Sequence, residues 1–220
     1  MKKPAYVFVL ALSCVLNSCT QDAEVVYSCN EAINEWATEN LSTIQEMTRS
    51  EWLKLDENKK RAAYRGFTQQ QRIKFWHDKL EELKDLNWST EELNHINLVG
   101  RFVDNHESFF SGKHLTDEQS DELYLFCYSW IEAGIEKFGW TKSTALSIIG
   151  TGNKVTDKNG GIKSDPGPLI DDKKDCYCHA GNVLYTTCIG NNESCEKTDC
   201  IVSFGGCGFM LTEECNGECI

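Results

Sequence analysis

Between residues 28 and 149 the apolar positions recur at spacings of three and four, and a hydroxyl residue marks the start of most runs. Thr48-Arg-Ser-Glu51, Thr68-Gln-Gln-Gln71, Ser89-Thr-Glu-Glu92 and Thr116-Asp-Glu-Gln119 each set a hydroxyl three residues ahead of Glu or Gln. That spacing makes a capping box, in which the hydroxyl accepts from the third residue's N–H and the longer side chain reaches back to the cap's own N–H. Behind the boxes run Trp52 and Leu55; Ile73, Trp76, Leu80 and Leu83; Leu93, Ile96 and Val99 or Val103; and Leu123, Phe126, Cys127 and Trp130. An earlier stripe holds Ile33, Trp36, Ala37, Asn40, Ile44 and Met47. The pattern predicts five main helices and a short sixth near Thr144 to Ile149. No proline interrupts them, and about 120 residues this rich in aromatics can bury a core of their own, so 28–149 is expected to be one all-α helical domain.

The pattern stops at residue 150. Residues 150–175 hold five glycines, both prolines outside the N-terminal segment and mostly polar side chains, a composition that predicts a flexible linker. From 176 onward eight cysteines dominate: Cys176, Cys178, Cys188, Cys195, Cys200, Cys207, Cys215 and Cys219. The gaps between them contain no Cys-x-x-Cys pair and only His179 adds a nitrogen donor, so disulfides are expected rather than a zinc site. Val183-Leu-Tyr-Thr-Thr-Cys188 and Cys200-Ile-Val-Ser-Phe204 are β-prone, and Gly190-Asn-Asn and Gly205-Gly206 punctuate as turns. Residues 176–220 are therefore expected to form a small disulfide-rich module with short β-strands. Eight cysteines allow 105 pairings, and spacing alone does not choose among them.

The N-terminus changes the setting. Lys2 and Lys3, an apolar run over 5–16 and the tetrad Leu16-Asn17-Ser18-Cys19 follow the order of an export signal, too short to stay as a membrane span. The tetrad resembles the lipobox of bacterial lipoproteins, so 1–18 is expected to be a signal peptide, Cys19 the lipidated residue and 19–27 a tether. The expected location is the cell envelope, at the outer membrane or cell surface, held by lipid. Of the 12 cysteines in the chain, Cys14 then leaves with the signal and Cys19 carries lipid, which leaves ten. Ten is even, as complete pairing in an oxidising compartment requires. Beyond the module that leaves Cys29 and Cys127 as a candidate bridge, although Cys127 on an apolar helix face reads equally well as a small core residue.

Charge narrows the function. Without Lys2 and Lys3, 20 basic side chains face 34 acidic ones, a net charge of −14, and nucleic-acid binding is not expected. Residues 176–220 carry only Lys197 against six acids, so electrostatic attraction to a membrane is absent there as well. No Gly-x-Ser-x-Gly elbow, phosphate-binding loop or His-Glu-x-x-His pair occurs. His106-Glu107 has no second histidine four residues on, and the calcium-like start Asp157-Lys-Asn159 has Pro168 at its twelfth position. No catalytic residue, metal or cofactor is assigned.

Cys176-Tyr177-Cys178, Gly206-Cys207-Gly208 and Cys215-Asn216-Gly217 resemble the pattern of fulvocin C, a small disulfide-rich bacteriocin. With Met47-Thr48-Arg49-Ser50-Glu51-Trp52, Phe67-Thr68, Gln71-Arg72, Trp76 and Trp88-Ser89 upstream, nearly the whole chain is similar to the fulvocin C-related family of Bacteroidetes-type lipoproteins. The resemblance implies a bacteriocin-like module, presented on a lipid anchor and released through the linker, that acts against related bacteria. Its acidity implies a protein receptor on the target cell, or contact through the aromatics Tyr177, Tyr185, Phe204 and Phe209. A cell-surface binding or structural lipoprotein without toxin activity shares all the same features. For the anchor, metabolic labelling with a fatty-acid analogue is expected to mark the wild-type chain and not Cys19→Ala; label on the variant would remove the lipid assignment.

Overall fold

All four capping boxes form, and each starts a helix. The computed structural model describes residues 25–163, 178–180, 194–200, 202–203 and 205–219. The export signal, Cys19, most of the tether, linker residues 164–175, Cys176, Cys188, the expected strand over 183–188 and the side chain of Cys219 lie outside the described residues.

Asn30 caps α1 (Glu31–Glu39), which breaks at Asn40 and resumes as a single turn, α2 (Leu41–Ile44). The boxes then begin α3 (Arg49–Trp52), α5 (Gln69–Leu83), α6 (Thr90–Asn105) and α7 (Asp117–Phe138), and Thr141 caps α8 (Lys142–Ile149). Between α3 and α5 stands a helix the periodicity does not predict, α4 (Glu57–Gly66), capped by Asp56. Its inward residues are Lys60, Ala62, Ala63, Tyr64, Arg65 and Gly66, so it carries no stripe of large apolar side chains. The helices enclose one core in which Trp76, Tyr64, Phe75, Phe110, Leu83, Ile96, Leu123 and Ile131 are essentially sealed from solvent. Trp52, Tyr64, Phe67 and Trp76 all pack their rings around Phe75 or each other at 4.9–6.1 Å.

Five cations lie inside this core: Arg49, Lys60, Arg65, Arg72 and Lys79. Arg65, Arg72 and Lys79 point at main-chain carbonyls at helix ends or in irregular segments, Arg49 at Gly152 O and the Glu82 carboxylate, and Lys60 at the side-chain oxygens of Glu57 and Asn153. Arg72 donates to Tyr64 O and Arg65 O at the end of α4 and to Phe110 O beyond α6. Lys79 donates to Ser147 O in the last turn of α8 and to Thr151 O just past it. Burial holds the Lys79 ammonium well below the usual lysine range, and nearby Arg49 pushes the same way against Glu82.

Residues 150–163 depart from the expected linker. Lys154–Val155 (β1) pairs antiparallel with Ile162–Lys163 (β2), in register Lys154 with Lys163 and Val155 with Ile162. The hairpin is fastened down: Arg49 donates to Gly152 O, Lys60 to Asn153 Oδ1, and Thr144 Oγ1 to Lys158 O. Gly152 is not there for flexibility, because a Cβ at that point would stand 2.8 Å from both the Phe75 and Trp52 rings. Asp157 spends its carboxylate on the N–H groups of Asn159 and Gly161 within the turn, which explains the calcium-like spacing without an ion.

The C-terminal region carries a second antiparallel pair, β3 (Cys195–Lys197) with β4 (Gly217–Cys219), joined Cys195 to Cys219, Glu196 to Glu218 and Lys197 to Gly217. The described residues of the strand expected over 200–204 are not in a sheet. Ser203 instead pairs with the start of the described chain, its N–H on Val26 O at 2.8 Å and its hydroxyl accepting from Val26 N. No helix among the described residues is long and apolar enough to cross a membrane.

Glu92 makes the fold's acid dependence testable. It accepts from Ser89 N–H, Trp140 Nε1 and Lys158 Nζ, which ties the α6 cap to both the aromatic cluster and the hairpin. Burial alone would raise its pKa, but these donors outweigh burial and hold it down at about 2, against 4.5 unperturbed. A lowered folded pKa gives stability that is present above about 4.5 and lost as pH falls toward 2. In urea unfolding at pH 7 and pH 3, Glu92→Gln is therefore expected to lose on the order of 1–3 kcal/mol less between the two than wild type; equal losses would remove Glu92 from the acid response.

Candidate functional site

The cysteine-rich region is the site the sequence points to, and the structure builds it onto the helices. Three disulfides form among the described residues: Cys178–Cys195, Cys207–Cys215 and Cys29–Cys200. Of the two readings of Cys127, the candidate bridge to Cys29 does not form and the small core residue is what the structure shows. Cys29 lies at the entry to α1 beside Val26, Val202, Cys207 and Cys215, and reaches Cys200 across 171 residues of chain. Cys127 is a free thiol, fully buried on the inner face of α7. Burial, with the Glu213 carboxylate second, pushes that thiol well above its usual pKa, so it packs as a small apolar residue and is a poor nucleophile.

The second attachment is a wedge. Phe209–Leu211 form one tight turn whose three side chains are buried in the core of the helical domain. Phe209 meets Tyr124 and Tyr128 of α7 edge to face at 5.9 and 5.7 Å, and Tyr64 donates its hydroxyl toward Met210 O while accepting from Trp76 Nε1. Met210 and Leu211 take positive φ of 51° and 54°, a costly conformation for such side chains that their burial offsets. Gly208, at φ 69°, leads into the turn where a Cβ would strike the Glu213 carboxylate. Phe209 was expected to be an exposed contact residue; it is 0 % exposed, because an apolar triplet in so acidic a segment has the helical core as its nearest apolar partner. Tyr177, Tyr185 and Phe204 lie outside the described residues.

Arg65 is the third attachment. Its guanidinium donates to Tyr27 O and to Gly205 O, so one α4 side chain joins the N-terminal strap to the cysteine-rich segment. Beside the wedge lies a polar recess of about 260 Å³ that both parts of the chain line, with His114 and Tyr124 from one and His179, Glu213 and Glu214 from the other. Glu213 accepts from Tyr124 Oη and from Phe209 N–H, and stands 3.7 Å from His179 Nε2. Burial raises the Glu213 carboxyl above its ordinary pKa against the pull of His179, Tyr124 and Phe209 N–H, and burial followed by Glu213 raises the Tyr124 phenol. The recess can accept donors from a partner. Cys127 is fully buried and does not line it, and among the described residues no three side chains are grouped to hold a metal.

Of the predicted cysteines, 178, 195, 200, 207 and 215 are paired as above, with Cys29 drawn into their network. Sequence reasoning missed Arg65, Tyr124 and Glu213. The one available signal was the triplet Phe209-Met210-Leu211 framed by Gly205-Gly206 and Gly208. Comparison with protein-family models, with curated proteins and with solved structures finds no match for this chain.

The bridge pattern makes a direct expectation. A non-reduced digest should yield one linked peptide pair joining Cys29 to Cys200, and Cys127 should react with an alkylating agent only after denaturation. Cys29→Ser should lower unfolding stability by about 2–5 kcal/mol, the usual cost of losing a bridge across a long loop. A Cys29–Cys127 peptide, or rapid native alkylation of Cys127, would contradict the arrangement.

Proposed function

We propose that this is an exported, lipid-anchored protein that binds a partner at the cell surface as one disulfide-locked body, its cysteine-rich segment acting in place on the helical domain. The observation that carries this reading is Cys29–Cys200. A cut anywhere in 164–175 leaves the C-terminal piece covalently bound to the helices, and the buried Phe209–Leu211 wedge holds it even before that bond is considered. Release as a separate small toxin would need both proteolysis and reduction, and would expose three large apolar side chains. The recess at the seam, with Tyr124, Glu213 and His179 drawn from both parts, exists only while the two stay together.

A bacteriocin-like activity is the second reading, favoured by the resemblance of the cysteine pattern to the fulvocin C-related family. Under it the same bridge makes the active species the whole chain or a nicked, still-joined form.

The experiment is non-reducing mass spectrometry of the natural product, from cells and medium separately, with growth inhibition of related strains measured for each species. The expected result is a chain that stays joined in the cell fraction, no free C-terminal fragment in the medium, and no inhibition. A free oxidised fragment beginning near 176 that inhibits growth would overturn the proposal; inhibition by the joined chain alone would move the reading to the second one.

A further inference from the structure

Only three large hydrophobic side chains among the described residues are exposed, and two of them, Leu98 at 37 % and Leu125 at 70 %, flank the same groove. The groove runs between α6 and α7 on the helical domain, holds about 470 Å³, and is floored by Phe102 and Phe126 stacked 4.2 Å apart. Scattered surface leucines need no explanation, but two lining one groove with an aromatic floor mark a contact surface.

The charges along α7 identify the occupant. Glu122, Phe126, Ser129, Trp130, Ala133 and Lys137 all line the groove and recur at intervals of three and four, so they share one face of the helix. The acid stands at the N-terminal end of that face and the base at its C-terminal end. Lys137 makes no ion pair among the described residues, whereas Glu122 accepts from His106 Nε2 at 2.9 Å. A stripe ordered in this way is complementary to itself when reversed. Two copies of α7 laid antiparallel, with the two-fold axis between Ser129 and Trp130, bring Glu122 opposite the partner's Lys137 and Phe126 opposite the partner's Ala133. Ser129 and Ala133 are small enough at the middle to let the helices approach, and each exposed Leu125 then enters the groove of the other copy. A small apolar ligand would leave Leu125 in water and Lys137 unmatched.

The geometry points to a second copy of this chain as the occupant, in a two-fold dimer built on the α6/α7 groove with α7 antiparallel to α7. The interface is self-complementary, as a closed two-fold pair requires. The net charge of −14 without Lys2 and Lys3 opposes association, so the two Glu122–Lys137 pairs also set the register by bringing opposite charges together at both ends.

The test is sedimentation equilibrium of the exported, oxidised full chain carrying Cys19→Ser, which keeps lipid and detergent from the groove. Wild type is expected to sediment at twice the monomer mass. Leu125→Asp, Glu122→Lys and Lys137→Glu should each weaken dimerisation by about tenfold or more through buried or like charge, and the double exchange Glu122→Lys with Lys137→Glu should restore it. Far-UV circular dichroism confirms that each surface variant is folded. A monomer at every concentration sampled overturns the proposal, and so does a dimer that ignores Leu125→Asp or is not rescued by the double exchange. A monomer that instead takes up an apolar dye displaced by detergent would identify the groove as a small-molecule site and equally overturn it.

Discussion

The structure depends on cations placed where the backbone runs out of partners. Taking an ammonium or guanidinium out of water costs several kcal/mol, and an apolar core returns little of that unless every donor meets an acceptor. For Arg65, Arg72 and Lys79 the acceptors are main-chain carbonyls at helix ends and in the irregular segments beyond them, whereas Arg49 also meets the Glu82 carboxylate and Lys60 meets the side chains of Glu57 and Asn153. Arg72 spans the end of α4 and the turn after α6, Lys79 spans the end of α8 and residue 151, and Arg65 spans residues 27 and 205. Each cation thereby converts a stretch of chain with little apolar surface into a fixed part of the core. Replacing one with an apolar isostere would remove its desolvation cost but orphan two or three buried carbonyls at once, so the cation wins wherever the carbonyls have no other donor.

This constraint explains why the chain's parts do not separate as composition implies. Val155 is the one buried apolar side chain of the hairpin after α8, too little to hold it by burial alone. Arg49, Lys60 and Lys79 hold it through carbonyl and amide oxygens instead. The cysteine-rich region behaves in the same way. Among the described residues Cys178–Cys195 and Cys207–Cys215 tie it within itself, and Cys29–Cys200, Arg65 and the Phe209–Leu211 wedge tie it to the helices.

The helices that begin at capping boxes were legible because a box is a local hydrogen-bond pattern written in four residues, and Trp76, Leu80, Ile96 and Trp130 follow it at the period of a buried face. Helix α4 was not, because apart from Tyr64 its inward residues are Lys60, Arg65, alanines and a glycine, which a hydrophobic period does not register. The same blindness hid Gly152, whose value lies in the rings of Phe75 and Trp52 pressed against it, residues far away in sequence. For the candidate site, parity and context gave disulfides, but the pairing of Cys29 with Cys200 follows from where Val26 and Ser203 bring the two ends together. Phe209 was expected at the surface because the segment around its triplet is short and acidic, while its neighbours in space are Tyr124 and Tyr128 of α7, far away in sequence.

Where the acidic charge falls then bears on what the cysteine-rich segment can do. Its buried carboxylate, Glu213, is turned inward to Tyr124 and Phe209 N–H, at the cost of desolvation that raises its pKa. Parting from the helices would cost this carboxylate its Tyr124 donor, though Phe209 N–H belongs to the same segment, and would expose the triplet beside it. Kept in place, the same carboxylate fixes the Gly208 turn and shapes the recess it shares with His179 and His114. The energetic arrangement is therefore that of a joint, in which the strained turn, the wedge and the buried acid are each tolerable only because the other part of the chain completes them.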